Sequence, residues 1–410
     1  MTSSKPSHHS TWNQRRNGAP LVNGHSLQQV AAIAGQTPYY AYDRSRINET
    51  VANLRAALPD AIKLHYAIKA NPMPAVVNHL AGLMDGLDVA SQRELRVALA
   101  TGTEPAEISF AGPGKSPEEI SASVAAGIVV NCESMQQIRQ TADAATRLGQ
   151  QARLALRVNP AFELKASGMK MTGGAKPFGI DTEQLTEAIA LARENGIEPE
   201  GLHLFTGSQN LKPEAICEAH SGVMQLAAEL IEQHQLALRF VNIGGGLGIP
   251  YFPGEKPLEL ASVADNLRTE LASFQAIAPD TEIVMELGRY LVGEAGLYVC
   301  QVIDKKVSRG TTYLVTNGGL HHHLSNSGNF GQVIRKNYPV EAIPANPSGE
   351  TELVTVVGPL CTPLDIVADK VELPRCEVGD LILVRQSGAY GFSASPQGFL
   401  SHPEVVEVFL

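Results

Sequence analysis

The sequence predicts an α/β chain: a (β/α)8 TIM barrel followed by a mostly antiparallel C-terminal β domain. Three observations predict it. Short apolar, β-branched runs alternate with helix-period segments from about Lys63 to Arg289, the pattern of parallel βαβ units. Eight such runs lie in one tract, the strand count of a barrel that is commonly ~250 residues long. After about Leu297 the long helical segments stop, and strand-like runs are separated only by turns. Strand counting alone leaves a doubly wound open sheet as the alternative.

In chain order the runs are "KLHYAIK" (63–69), "GLDVAS" (86–91), "ISFAGP" (108–113), "GIVVNCES" (127–134), "ARLALRVNP" (152–160), "GLHLFTGS" (201–208), "RFVNIGGG" (239–246) and "EIVMELGR" (282–289). Segments such as "SQRELRVALATG", "SPEEISASVAAG" and "ESMQQIRQTADAATRLG" lie between them and end in glycine, a common helix stop. "LYVCQVIDKKVSRGTTYLVTNGG", "TELVTVVGPLCTPLD" and "GDLILVRQSGAY" make the later β domain. The lone early run "TPYYAYD" (37–43) stands before the barrel and is expected to pair with that sheet. The expected organisation is a flexible N-terminal segment at 1–36, a barrel at 44–289, and a β-sandwich or barrel-like domain built from 37–43 and 290–410.

Composition narrows the function. The chain has 410 residues, too many for one compact domain. A net charge of −10 argues against a nucleic-acid partner, because binding phosphates needs a basic face. No run has the length or apolarity of a membrane span, so no membrane partner is expected. Five cysteines, odd in number and without CxxC spacing, argue against a disulfide framework or structural zinc and favour a reducing cytoplasm.

In a barrel the chemistry gathers at the C-terminal strand ends. Those ends offer Lys69, Asp88, Arg157, His203, Phe205, Ser208, the glycines 244–248, Glu286 and Arg289. An amine that can form a Schiff base, glycine backbone for an anion, an aromatic wall and a carboxylate together suit pyridoxal phosphate. Taken singly, Lys69 reads as a strand-end lysine with its charge in water and the glycines as a turn.

"HYAIKANP", "FAGPGK", "LRVNP", "HLFTGSQN", "VNIGGGLG", "ELGR", "GPLCTPLD" and "GDLILVRQSGAYGFS" occur in that order. In this the chain, from Thr37 to Leu410, resembles the fold-type III pyridoxal-phosphate decarboxylases. That is the diaminopimelate, ornithine and arginine decarboxylase group, with its alanine racemase-like barrel. "NGGLHHH" and "LCTPLD" are most similar to the exosortase A system-associated and glutamyl-carrier-protein decarboxylases; siderophore-pathway decarboxylases are similar too. The resemblance implies pyridoxal 5'-phosphate as cofactor and decarboxylation of an L-amino acid or aminoacyl derivative, free or carrier-tethered. It implies Lys69 as the Schiff-base lysine, with Asp88, Arg157 and Phe205 around the ring and Glu286 on the pyridine nitrogen. Ser208, Gly244, Gly245, Gly246, Arg289 and Tyr390 would hold the phosphate. Cys361 would donate a proton across a homodimer interface, and His321, His322 and Asp365 would bind substrate.

The chain also departs from the pattern. Phe205 stands where the diaminopimelate enzymes have a stacking histidine. Ser325 and Asn329 stand where that group grips a distal carboxylate, and Thr362 replaces the acid after the cysteine. Diaminopimelate is therefore not the expected substrate. His321, His322 and His323 are adjacent, and successive strand residues point to opposite faces, so no metal is expected. The rival readings are a racemase on the same fold, diaminopimelate decarboxylase itself and a non-catalytic cofactor carrier. "GPLCTPLD", "GAYGFS" and the C-terminal β domain favour decarboxylation.

Overall fold

A computed structural model describes residues 7–9, 11–161, 169–170 and 174–410. The chain divides into a barrel unit, Val51–Ile249 with Leu258–Gly288, and a β unit, Met1–Thr50 with Pro250–Pro257 and Arg289–Leu410.

The barrel strands are β1 (Ile62–Ala67), β2 (Gly86–Val89), β3 (Ile108–Phe110), β4 (Val129–Cys132), β5 (Arg153–Asn159), β6 (Gly201–His203), β7 (Phe240–Asn242) and β8 (Glu282–Leu287). Each pairs in parallel with its successor, and β8 pairs with β1 to close the ring. That closure removes the open-sheet alternative. A short strand, Ile180–Asp181, adds beside β5. β2, β3 and β4 are buried along their whole length, which explains why their sequences are mostly apolar, with Asp88, Ser109 and Asn131 as their buried polar residues.

Local chemistry fixes the turns at the strand ends. Ser91, Ser116 and Ser134 cap the helices that follow β2, β3 and β4, accepting the N–H groups of Glu94, Glu119 and Gln137. Each cap satisfies a helix donor that would otherwise lack a partner. Gly127 and Gly149 end the last two of these helices in the left-handed conformation.

In the β unit a long strand, Gly296–Ser308, joins two sheets. Its first half pairs with Tyr39–Tyr42 and Leu381–Val384, and its second half with Thr311–Thr316. The register shifts between Val302 and Asp304, at the hand-over. Val406–Phe409 pairs in parallel with the early strand, so "TPYYAYD" does join the later sheet.

The N-terminal expectation needs correction. Arg15–Arg16 and Ala19–Pro20 form a small hairpin, and Leu27–Ala34 is a helix with a Ser26–Gln29 capping box. Trp12 is buried under the Arg46 guanidinium, 3.9 Å from the ring centroid. Trp12, Val22, Leu27 and Val30 pack with Tyr39, Leu297 and Val299. Each such burial contributes roughly 1.5–3 kcal/mol, which outweighs the polar look of the segment. Residues 1–6 and 10 lie outside the described residues. Among those described, no helix is long and apolar enough to cross a membrane.

Candidate active site

β1 ends at Ala67, and the chain tightens into one 3-10 turn, Ile68–Ala70, that carries Lys69. Tyr66 OH donates to Asn71 O at 2.9 Å, and Asn71 Oδ1 accepts from the Met73 N–H at 3.1 Å. Ile68 and Ala70 are buried on either side. Lys69 is thus held by its neighbours on a turn, two residues past the strand end, whereas the run "KLHYAIK" suggests a strand that ends at Lys69 itself.

Lys69 Nζ lies 3.1 Å from Glu286 Oε1 and 5.2 Å from the Phe205 ring centroid. Glu286 stands on β8, and its other oxygen is 3.2 Å from His203 Nε2 on β6. Burial pushes the Glu286 carboxyl up, but Lys69 and His203 outweigh it and hold the group well below the usual carboxylate range. Glu94 also acts electrostatically on Lys69, and its carboxylate accepts the Ala90 N–H at 2.7 Å. Sequence reasoning missed Glu94; the signal was the helix-start pattern Ser91-x-x-Glu94 directly after β2.

The glycine turn follows β7. Gly244 and Gly246 have φ of 70° and 82°, a region closed to most side chains. A Cβ on Gly245 would stand 1.9 Å from the Glu286 carbonyl oxygen, and one on Gly246 would stand 2.8 Å from that of Gly207. The turn therefore lies flat against β8 and against the Gly207–Ser208 segment. The Glu286 N–H donates to Gly244 O at 2.8 Å and pins it. Gly245 and Gly246 are half-buried, and their N–H groups find no acceptor among the described residues.

Asp88 sits inside the barrel. It accepts from Ser109 Oγ at 2.6 Å and lies 3.4 Å from His65 Nδ1. Burial opposes the charge on His65, but Asp88 and Glu107 outweigh it and push the imidazole up to about 9. Arg157 donates to Glu133 Oε1 at 2.9 Å and lies over Phe178. Glu133 also accepts the Gly112 and Gly179 N–H groups and lies 3.9 Å from the buried Lys115 amine. Glu133 went unread in the sequence, because a lone acid after a strand has no motif of its own.

In the β unit the Arg289 guanidinium donates to Tyr251 OH at 2.9 Å and lies 4.7 Å from the Tyr390 ring centroid. Its buried Nε has no hydrogen-bond partner among the described residues. Cys361 is exposed. His321, His322 and Asp365 are only 0%, 1% and 3% exposed. His322 Nε2 lies 2.9 Å from Pro403 O, and the His321 ring lies against that of His322, tilted by 41° with centroids 3.6 Å apart. The Asp365 oxygens accept the Leu320 and Leu360 N–H groups at 2.6 and 2.8 Å. Within the chain these three side chains pack into the β unit's interior. His323, the third of the triplet, lies 2.9 Å from Ser387 Oγ. Among the described residues no group of three His, Cys, Asp or Glu is arranged to hold a metal ion.

The donor set suits an aromatic aldehyde phosphate. The barrel unit supplies an amine beside a ring, a buried ionised acid and half-buried amides without an acceptor among the described residues, on a turn with no space for a Cβ.

Comparison with known proteins agrees. Residues 44–293 match the model of the pyridoxal-dependent decarboxylase family, pyridoxal binding domain. The chain is 35% identical over 383 residues to the L-glutamyl-(BtrI acyl-carrier protein) decarboxylase of Niallia circulans, covering 91% of this chain and 88% of that one. It is 31% identical to the diaminopimelate decarboxylase of Helicobacter pylori, covering 92% and 90%. Its fold superposes on the crystal structure of the M. jannaschii diaminopimelate decarboxylase with L-lysine, with a TM-score of 0.88, 26% identity and coverage of 97% and 92%.

Proposed function

The chain belongs to the pyridoxal-dependent decarboxylases, and from that membership we propose that it removes the α-carboxylate of an L-aminoacyl group tethered to a carrier protein, using Lys69 and Cys361. As a member it is a carboxy-lyase acting on an amino acid with pyridoxal 5'-phosphate. The observation that carries the assignment of roles is the Lys69–Glu286–His203 cluster at the C-terminal ends of the barrel strands.

When bound, the cofactor supplies a sink for the electron pair left at the α-carbon as carbon dioxide departs. Lys69 would carry it, Phe205 would wall one ring face, and Ser208, the Gly244–Gly246 amides, Arg289 and Tyr390 would hold its phosphate. Asp88 and Arg157 would complete the polar surroundings. Glu286, kept ionised by Lys69 and His203, is ready to hold a proton at the ring nitrogen. The Cys361 thiol gives its proton to the α-carbon and reloads from water, which its exposure allows. A homodimer in which Cys361 of the partner subunit serves this site is supported by the exposed apolar side chains Val333, Ile334 and Leu364 in the same unit. Five unpaired cysteines support a cytoplasmic location.

The tethered substrate is supported by what the chain lacks. Ser325 Oγ donates to Tyr390 O, and Asn329 Nδ2 donates to Ser327 Oγ, so neither position offers a cation to a distal carboxylate. The carrier-protein decarboxylase among its relatives adds to this. The test is carbon dioxide release from free L-glutamate, diaminopimelate and an L-glutamyl carrier-protein thioester. Turnover is expected with the thioester; a preference for diaminopimelate overturns the proposal.

A further inference from the structure

We propose that Asp365 is a positioning residue: its carboxylate sets the turn that presents Cys361 and locks that turn to the loop at 317–320. This deepens the reading of Cys361 as proton donor and rests on it. The Thr362 N–H donates to Leu360 O at 2.8 Å, a three-residue γ-turn with Cys361 at its apex. That places Cys361 outermost, and it is exposed while Leu360 is buried. The base of the turn is held by one Asp365 oxygen, which accepts the Leu360 N–H at 2.8 Å. The other oxygen accepts the Leu320 N–H at 2.6 Å. The Asp365 backbone closes the same loop, since its O accepts the Gly358 N–H at 3.0 Å and its N–H donates to Thr362 O at 3.3 Å.

Two glycines are explained by this clamp. A Cβ on Gly319 would stand 2.1 Å from Asp365 Oδ1, and one on Gly358 would stand 2.3 Å from Oδ2. Both backbones must come close enough for the carboxylate to sit between them. The group must also be an acid. Each oxygen accepts a backbone N–H, whereas an amide of the same shape accepts on one side and presents N–H on the other. A neutral isostere therefore fits the space and breaks half the clamp.

The consequence concerns where a proton goes. With the thiol in place, the α-carbon takes its proton and the product is an amine. With the thiol displaced, water would supply a proton away from the α-carbon, and with pyridoxal phosphate as acceptor of the amino group the released product would be a carbonyl compound in place of the amine. Asp365→Asn, Asp365→Ala and Cys361→Ser, all loaded with cofactor, are compared with the parent for KM, kcat and the ratio of carbonyl to amine product. Amide hydrogen exchange at Leu320 and Leu360 is followed in parallel.

Asp365→Asn is expected to speed exchange at one or both amides. It should lower kcat by about tenfold or more with KM little changed, and raise the carbonyl share in the direction seen for Cys361→Ser. Unchanged exchange, or faster exchange with amine as the only product and kcat within about twofold of the parent, overturns the positioning role. If Cys361→Ser itself leaves product ratio and rate unaltered, the proton-donor reading fails and this inference falls with it. Should Asp365→Ala fail to fold, the isosteric Asp365→Asn still decides.

Discussion

Glu286 decides the charge balance of the barrel mouth, because one carboxylate faces both Lys69 and His203. Glu286→Gln removes that charge while keeping the shape. It is expected to lower kcat by about 100-fold or more while the protein keeps its far-UV circular dichroism; a loss under about threefold would argue against the ring-nitrogen role. His65 gives a second test at this scale. Its imidazole is pushed from 6.5 up to about 9 by Asp88 and Glu107 against burial. A folded value above the unfolded one contributes stability that is complete below pH 6.5 and lost as pH rises through about 9. Glu107, pulled down to about 2 largely by His65, keeps its own contribution above the ordinary carboxylate range and loses it only in acid. Denaturant melts from pH 6 to 10 should show a decline centred between these His65 values that His65→Gln flattens. Lys69 and Glu286 were legible as candidates because strand ends in a barrel carry chemistry. Glu133 was not, since it acts by reaching across to Arg157 on the neighbouring strand end, and such reach leaves no spacing in the sequence; Glu94 left only its helix-start spacing from Ser91, which states a cap and not its reach back to the Ala90 N–H.

Among the elements, the glycine turn after β7 is the least tolerant of change. Gly245 abuts the backbone of β8, so a methyl there must move a carbonyl that no rotamer change can relieve. Gly245→Ala is expected to destabilise by about 1–3 kcal/mol in urea melts and to weaken cofactor retention on dialysis. A variant of parent stability that keeps its cofactor would mean that the close approach is incidental. The barrel strands could be read from the sequence because the βα repeats state their own pattern: a buried run, after β2, β3 and β4 a serine cap, and after β3 and β4 a left-handed glycine stop. The position of Lys69 could not, since the step from strand to 3-10 turn depends on Tyr66 and Asn71 meeting in space. The N-terminal segment misled for a related reason. Its apolar side chains are few and widely spaced, and only the sheet they cover, with Tyr39 and Leu297, makes them a core.

For the molecule as a whole, the family assignment rests on motifs spread across both units, from Lys69 to Tyr390, and the barrel unit by itself lacks Cys361. If two copies share sites, Lys69→Ala, which is inactive, and Cys361→Ser, which diverts product toward the carbonyl compound, should regain amine formation when mixed and refolded together, because one site in a mixed dimer is then intact. No regain would argue for sites complete within one chain. The substrate was legible only in outline, as the absence of a distal-carboxylate grip at Ser325 and Asn329, because a tether is recognised by surface that no short motif encodes. The most direct test of the central claim is chemical. Borohydride reduction of the cofactor-loaded protein fixes the cofactor to the amine that carries it, and peptide mass mapping then locates the mark. The account predicts the mark on Lys69 and none in Lys69→Ala; a mark on Lys115, the buried amine beside Glu133, or on any other lysine would contradict it.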